Sequence, residues 1–256
     1  MQKERICIVI PCFNEEERFP LEEYLSFLER NDQILICFVN DGSTDDTLSI
    51  LQKLCNKYTN KAYLVSYKKN AGKAEALRRG VNFCNKELNF DYIGYFDADL
   101  SAPLAAILKL ANYFTKDIDF VFGSRIMKIG SVIERSVKRH LIGRIIATVI
   151  SNMLRMKVYD TQCGSKLFTR DLSLYLFREP FISRWLFDVE IFFRMIERYG
   201  TEGALCKMIE IPLDEWINKG GSKVKFTYFF ILWFDLYAIH RKYRRVFSKQ
   251  HREVES

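Results

Sequence analysis

Asp97 and Asp99 stand one residue apart in YFDADLS (95–101), directly after an apolar run. Carboxylates so placed repel each other, and burying an unpaired one is costly. Their chemistry is that of a cation site. Oxygen ligands suit a hard divalent ion, Mg2+ or Mn2+, which keeps waters and also takes phosphate oxygens from a substrate. A dication shared between this pair and a diphosphate would make the carboxylates tolerable. An acidic pair can also be mere helix-capping, so its company decides. Four more polar clusters follow apolar runs: PCFNEEE (11–17), NDGSTDDT (40–47), KKNAGKAEAL (68–77) and GSR (123–125). Both signs of charge occur among them, the make-up of a binding crevice. No GxGxxG follows the first run and no GxxxxGK[ST] occurs, which argues against a dinucleotide fingerprint and a P-loop.

These clusters need a frame that brings them together. ICIVI (6–10), ILICFVN (34–40), AYLVSY (62–67), YIGYF (92–96) and DFVFGS (119–124) read as strands. Between them, Leu48, Leu51, Leu54 and Cys55, then Ala74, Leu77, Val81 and Cys84, keep helical spacing. Ser43, Thr44 and Asp45 offer caps for one helix, and Pro103 suits a first turn. Alternating strands and helices predict an α/β fold, a Rossmann-like, mainly parallel sheet covered on both faces. In such sheets ligands bind beyond the carboxyl ends of the strands, where all five clusters fall. Past residue 130 the alternation breaks. Helices are predicted over 140–154 and 186–200, the latter stopped by Gly200, and a late strand within 204–213.

Composition narrows the partners. The 256 residues suffice for one large domain with a full core. The net charge is +7, yet nine Lys/Arg and a single acid lie between 219 and 252. The rest is close to neutral, which argues against nucleic acid as a partner. The basic end suggests an anionic surface. Seven scattered cysteines without a CxxC pair fit free thiols in a reducing, cytoplasmic setting. The N-terminal apolar run is too short for a signal peptide.

The ordered set VIPCFNEE, VNDGSTDDT, KNAGKAEALRRG, FDADL and GSR resembles family-2 glycosyltransferases of the GT-A type. DTQCGSKLFTRD (160–171), RWLFDVEIFFR (184–194) and EW…GGSK (215–223) are similar to the dolichyl-phosphate β-glucosyltransferase and polyprenyl-phosphate glycosyltransferase branch. The resemblance implies a catalytic domain over 1–225, with a nucleotide-binding half (1–125) and an acceptor half (126–225). It implies that Pro11, Phe13 and Glu15 line the base and ribose, and that Asp41 hydrogen-bonds the base. It puts Lys73 near the donor, Asp97 on the ribose or metal side, and Asp99 on the metal. Arg125 and Lys223 would face the diphosphate or the acceptor phosphate. Where mannosyltransferase relatives carry Gln two residues after the second aspartate, this chain has Ser101, which is left out of the metal set.

The reaction so implied is inverting transfer of a hexose, glucose from UDP-glucose, onto polyprenyl or dolichyl phosphate. A phosphate nucleophile is already ionised near neutrality and needs cations rather than a base. The alternative is transfer to a glycan or other hydroxyl, which needs a carboxylate to take its proton. Asp188 and Glu190, in FDVE, are the candidates, and Asp188 falls on the acceptor side by resemblance. Their competing role is favourable charge at a helix start. The aromatic, then basic segment 226–252 suits peripheral contact with a membrane, or packing on the domain with a solvated basic end. Its charge-poor stretch is shorter than a membrane span. Arg135, Lys138, Arg139 and Arg144 form a second basic group.

Overall fold

The computed structural model describes residues 4–134, 137–219 and 228–254. The five predicted strands form: β1 (Ile6–Cys12), β2 (Ile34–Asp41), β3 (Ala62–Tyr67), β4 (Tyr92–Tyr95) and β5 (Phe120–Ser124). Between them run α1 (Leu21–Arg30), α2 (Thr47–Lys57), α3 (Lys73–Glu87) and α4 (Ala105–Ala111). A short β6 (Val132–Ile133) is followed by α5 (Val137–Leu154), then β7 (Lys166–Thr169), α6 (Arg170–Leu176) and α7 (Phe187–Cys206). The chain ends with β8 (Met208–Pro212), β9 (Glu215–Trp216) and α8 (Tyr228–Val254).

Seven strands form one sheet in the order β3-β2-β1-β4-β7-β5-β8, while β6 and β9 pair separately. All neighbours in the large sheet are parallel except β7, which runs antiparallel to both β4 and β5. The chain steps outward from β1 to β2 and β3, then returns to place β4 on the other flank of β1. That reversal leaves a crevice at the carboxyl ends of β1 and β4.

The two-residue period of the strands divides the core between the faces. Ile6, Ile8, Ile10, Ile34, Ile36 and Phe38 pack with Leu28 of α1, Leu51 of α2 and Ile107 of α4. Cys7, Val9, Leu35, Cys37 and Val39 pack with Leu77 of α3 and, in the same cluster, Phe192 of α7 and Leu236 of α8. Gly80 lets α3 lie close on the sheet, since a Cβ there would come within 2.6 Å of Val9 and Val39 methyls.

The second half departs from expectation in three places. β7 was not foreseen: it is four residues long and opens on a lysine. Gly200 does break its helix, with φ 74° and ψ 170°, but helical structure resumes as far as Cys206. The predicted strand therefore begins only at Met208. In α2 the cap residue is Asp46 rather than an earlier residue, although the Asp45 carboxylate still accepts from Thr47 N (3.1 Å).

α8 does pack on the domain, burying Leu232, Leu236, Ile239 and Tyr243. Its other side exposes Ile231, Trp233, Phe234 and Tyr237, and beyond them Arg241, Arg244 and Arg245. Among the described residues no helix is long and apolar enough to cross a membrane. The cysteines are free, five buried, Cys55 half-buried and Cys206 exposed.

Candidate active site

The strand-end clusters converge on one cleft of about 610 Å³. Pro11, Phe13 and Glu15 after β1, Asp41 at the end of β2, Lys73 at the start of α3 and Asp97 and Asp99 after β4 all line it. Arg125 after β5 and Asp188 of α7 complete the opposite side. Lys223 lies outside the described residues, as does Arg135.

Each side chain is held by short-range structure. Asp41 is buried, its oxygens accepting from Ala71 N (3.0 Å) and Gly72 N (2.8 Å). Burial raises its pKa, an effect those two N–H groups and the charges of Arg79 and Arg184 partly offset. Gly72 turns with φ +95°, a conformation that favours glycine, and so delivers its N–H to Asp41. Glu15 is buried and chelated by the Arg18 guanidinium, with Nη2 to Oε1 at 2.7 Å.

Asp97 and Asp99 differ. Lys73 Nζ donates to Asp97 Oδ1 at 2.5 Å. Burial pushes the Asp97 pKa up, but the Lys73 charge and hydrogen bond outweigh it and the net shift is downward. Lys73 is shifted up, its own burial being outweighed by Asp97 and, after it, Asp188. Asp99 Oδ1 accepts from the Ser101 backbone N (3.0 Å) and hydroxyl (2.9 Å), so Ser101 fixes the carboxylate. Asp99 Oδ2 has Arg18 Nη1 at 3.8 Å.

The donor set fits a hard divalent ion. Asp97 and Asp99 both line one cleft, and Mg2+ or Mn2+ sites often use only one or two protein carboxylates. Gly164 makes room: a Cβ there would stand 2.3 Å from Asp97 Oδ2. Among the described residues no cluster of three or more His, Cys, Asp or Glu forms an all-protein metal cage.

Arg125 is enclosed in a bidentate pair with Asp160, Nε to Oδ2 at 2.6 Å and Nη2 to Oδ1 at 2.8 Å, over the Trp216 ring. Burial lowers its pKa, but Asp160 outweighs burial and leaves it raised. Glu210 in turn accepts from Tyr159 N and Asp160 N. Asp188, 5% exposed, takes on one oxygen both the Tyr95 hydroxyl and the Lys166 ammonium, the latter at 2.7 Å. Lys166 is wholly buried and also donates to the carbonyls of Thr161 (3.0 Å) and Cys163 (2.5 Å). Glu190 turns away from the cleft, accepting from Ile182 N and Ser183 N and facing Arg194 and Tyr243. Sequence reasoning missed Arg18, Asp160, Lys166 and Arg184. Asp160 and Lys166 lie in the DTQCGSKLFTRD segment and Arg184 heads RWLFDVE, which was their signal, whereas Arg18 carried none.

Comparison with known proteins agrees with this arrangement. Residues 7–177 match the family model described as glycosyl transferase family 2. A dolichyl-phosphate β-glucosyltransferase of Trichomonas vaginalis is 32% identical, the match covering 93% of this chain and 74% of the relative. The human dolichyl-phosphate β-glucosyltransferase is 29% identical over 86% of this chain and 69% of its own. Among solved structures, Mycobacterium tuberculosis glucosyl-3-phosphoglycerate synthase superposes with a TM-score of 0.64 at 18% identity, covering 95% of this chain and 79% of that one. That enzyme is also known in complex with Mn2+, UDP and glucosyl-3-phosphoglycerate. The sheet and its flanking helices are those of the GT-A fold. The chain belongs to glycosyl transferase family 2 and is a glycosyltransferase.

Proposed function

We propose that this chain transfers glucose from UDP-glucose to a polyprenyl or dolichyl phosphate, with inversion and with a divalent cation. The observation that carries the proposal is the convergence of Asp41, Asp97, Asp99 and Asp188 on one cleft, in a chain whose relatives are named dolichyl-phosphate β-glucosyltransferases. The catalytic unit is 1–225, its nucleotide half 1–125 and its acceptor half 126–225, followed by 226–256 as an aromatic and basic C-terminal helix or tail, of which α8 (Tyr228–Val254) is the described helical part.

Asp41 receives the base N–H, and Pro11, Phe13 and Glu15 shape the base and ribose pocket. Asp97 and Asp99 would hold Mg2+ or Mn2+, which when bound supplies positive charge opposite the leaving diphosphate. Lys73 lies against the same carboxylate and shares that charge balance. The acceptor approaches from the Asp188 side, where Arg125 provides a cation for phosphate, and Lys223 takes the same role by its motif alone. A lipid phosphate attacks as an anion, so Asp188 orients the acceptor side rather than removing a proton.

The exposed aromatics of α8, followed by Arg241, Arg244 and Arg245, suit peripheral seating on an anionic, cytosol-facing membrane surface. Leu141, Ile142 and Ile145 of α5 are exposed as well. The test is radiolabelled transfer from UDP-glucose with and without Mn2+, offering polyprenyl phosphate and a panel of hydroxyl glycans. Label in the lipid-phosphate fraction that disappears with chelator is the expected result. Label confined to hydroxyl acceptors overturns the acceptor assignment.

A further inference from the structure

Four cationic side chains among the described residues line the cleft: Arg18, Lys73, Arg125 and Arg184. Three are engaged by carboxylates, Arg18 by Glu15, Lys73 by Asp97 and Arg125 by Asp160. Arg184 is exposed and forms no ion pair with a described residue.

Its position is nevertheless fixed. The Arg184 carbonyl accepts from Ala74 N at 3.3 Å, tying it to the start of α3. Its aliphatic stem lies over Gly72, where a Cβ would meet Arg184 Cδ, Cγ and Cβ at 3.1 to 3.4 Å. Gly72 is the residue whose N–H holds Asp41, and the Arg184 charge reaches the Asp41 carboxyl. On the other flank, Ser183 Oγ accepts from Trp185 N (3.2 Å) and Leu186 N (2.9 Å) and donates to Asp235 of α8 (2.5 Å). Glu190 accepts from Ile182 N (2.6 Å). The backbone is thus pinned to α3, α7 and α8 while the guanidinium stays available at the Asp41 corner.

We propose that Arg184 is a donor-nucleotide-binding residue, a planar cation that closes over the base-and-ribose corner opposite Asp41, with its loop fastened to α8 through Ser183 and Asp235. The proposal rests on the UDP-sugar reading above. Uracil presents an N–H between two carbonyl oxygens. A carboxylate answers the N–H, and a guanidinium answers a carbonyl or lies flat on the ring face.

The experiment is calorimetric titration of the full chain with UDP and, separately, GDP, no acceptor being present. Wild type is compared with Arg184→Gln, Arg184→Lys and Asp235→Asn, all checked for an unchanged thermal midpoint. Arg184→Gln is expected to weaken UDP binding about tenfold, the loss of one charge-assisted contact. Arg184→Lys recovers part of it, and Asp235→Asn weakens binding in the same direction by less. In transfer assays Arg184→Gln raises KM for UDP-glucose and leaves KM for polyprenyl phosphate in place. UDP affinity of Arg184→Gln within about twofold of wild type, or a rise confined to the acceptor KM, overturns the proposal. A wild-type chain that binds neither nucleotide overturns the donor reading itself and this proposal with it. An Asp235→Asn variant that binds like wild type removes the α8 fastening and leaves Arg184 standing.

Discussion

Two lysine–aspartate pairs each put their aspartate on the cleft, and they sit in different surroundings. Lys73 and Asp97 keep 24% and 38% of their side chains exposed, whereas Lys166 and Asp188 keep 0% and 7%. The first pair faces ligand space and each member can exchange the other for an incoming charge. The second is walled in by Tyr95 and by the carbonyls of Thr161 and Cys163. Its lysine has no route to a ligand. The same two functional groups therefore make a replaceable contact on one wall and a fixture on the other, and solvent access sets which.

Substitution should separate the two. Lys166→Met strands a buried carboxylate and is expected to lower unfolding free energy by about 3–5 kcal/mol, measured by urea titration. Adding Asp188→Leu should restore most of that stability but not transfer. Lys73→Met should instead cost only about 1 kcal/mol of stability, its pair being half-exposed, while reducing kcat about a hundredfold. If Lys73→Met proves the less stable variant, the contrast between the walls is wrong. Gly164→Ala places a methyl against Asp97 Oδ2. Because the clashing atom is a side-chain tip, Asp97 should yield, lowering transfer about tenfold with little change in thermal midpoint.

The smallest effect is in pH. Asp97 is shifted down and Lys73 up. The stability their pairing adds is thus present above the ordinary carboxylate pKa and lost as pH falls through the depressed Asp97 value. At the alkaline end it is present below the ordinary lysine pKa and lost as pH rises through the raised Lys73 value. The stability difference between wild type and Lys73→Met should be level from about pH 5 to about pH 9 and shrink in acid.

The wall that carries Asp41, Lys73, Asp97 and Asp99 was legible because each of its parts follows its own strand. β1 to β5 are short apolar runs ending in polar clusters, so period and punctuation alone place Asp41, Lys73, Asp97 and Asp99 at one edge. The opposite wall is built from residues distant in sequence. Nothing within GSKLFT marks Lys166 as buried, yet it is entirely so, because Asp188, 22 positions on, pairs with its charge and two carbonyls accept its hydrogen bonds. Asp160 likewise gives no local sign that it will occupy the Arg125 guanidinium. Glu190 shared its motif with Asp188, but the helical turn between neighbours points it to the other side, where it ties the 182–183 backbone. Periodicity reports which face a residue occupies, not which partner arrives from elsewhere.

β7 bears on how the chain reaches its native state. β4 and β5 never touch in the sheet; both are joined only through Lys166–Thr169, inserted between them in the opposite sense. During synthesis β3, β2, β1 and β4 can pair as they emerge, but β5 must wait with bare edges until that late segment returns. Zipping in the middle is the slow, non-local event, and a chain stalled before it would expose Phe120, Val121 and Phe122 to aggregation.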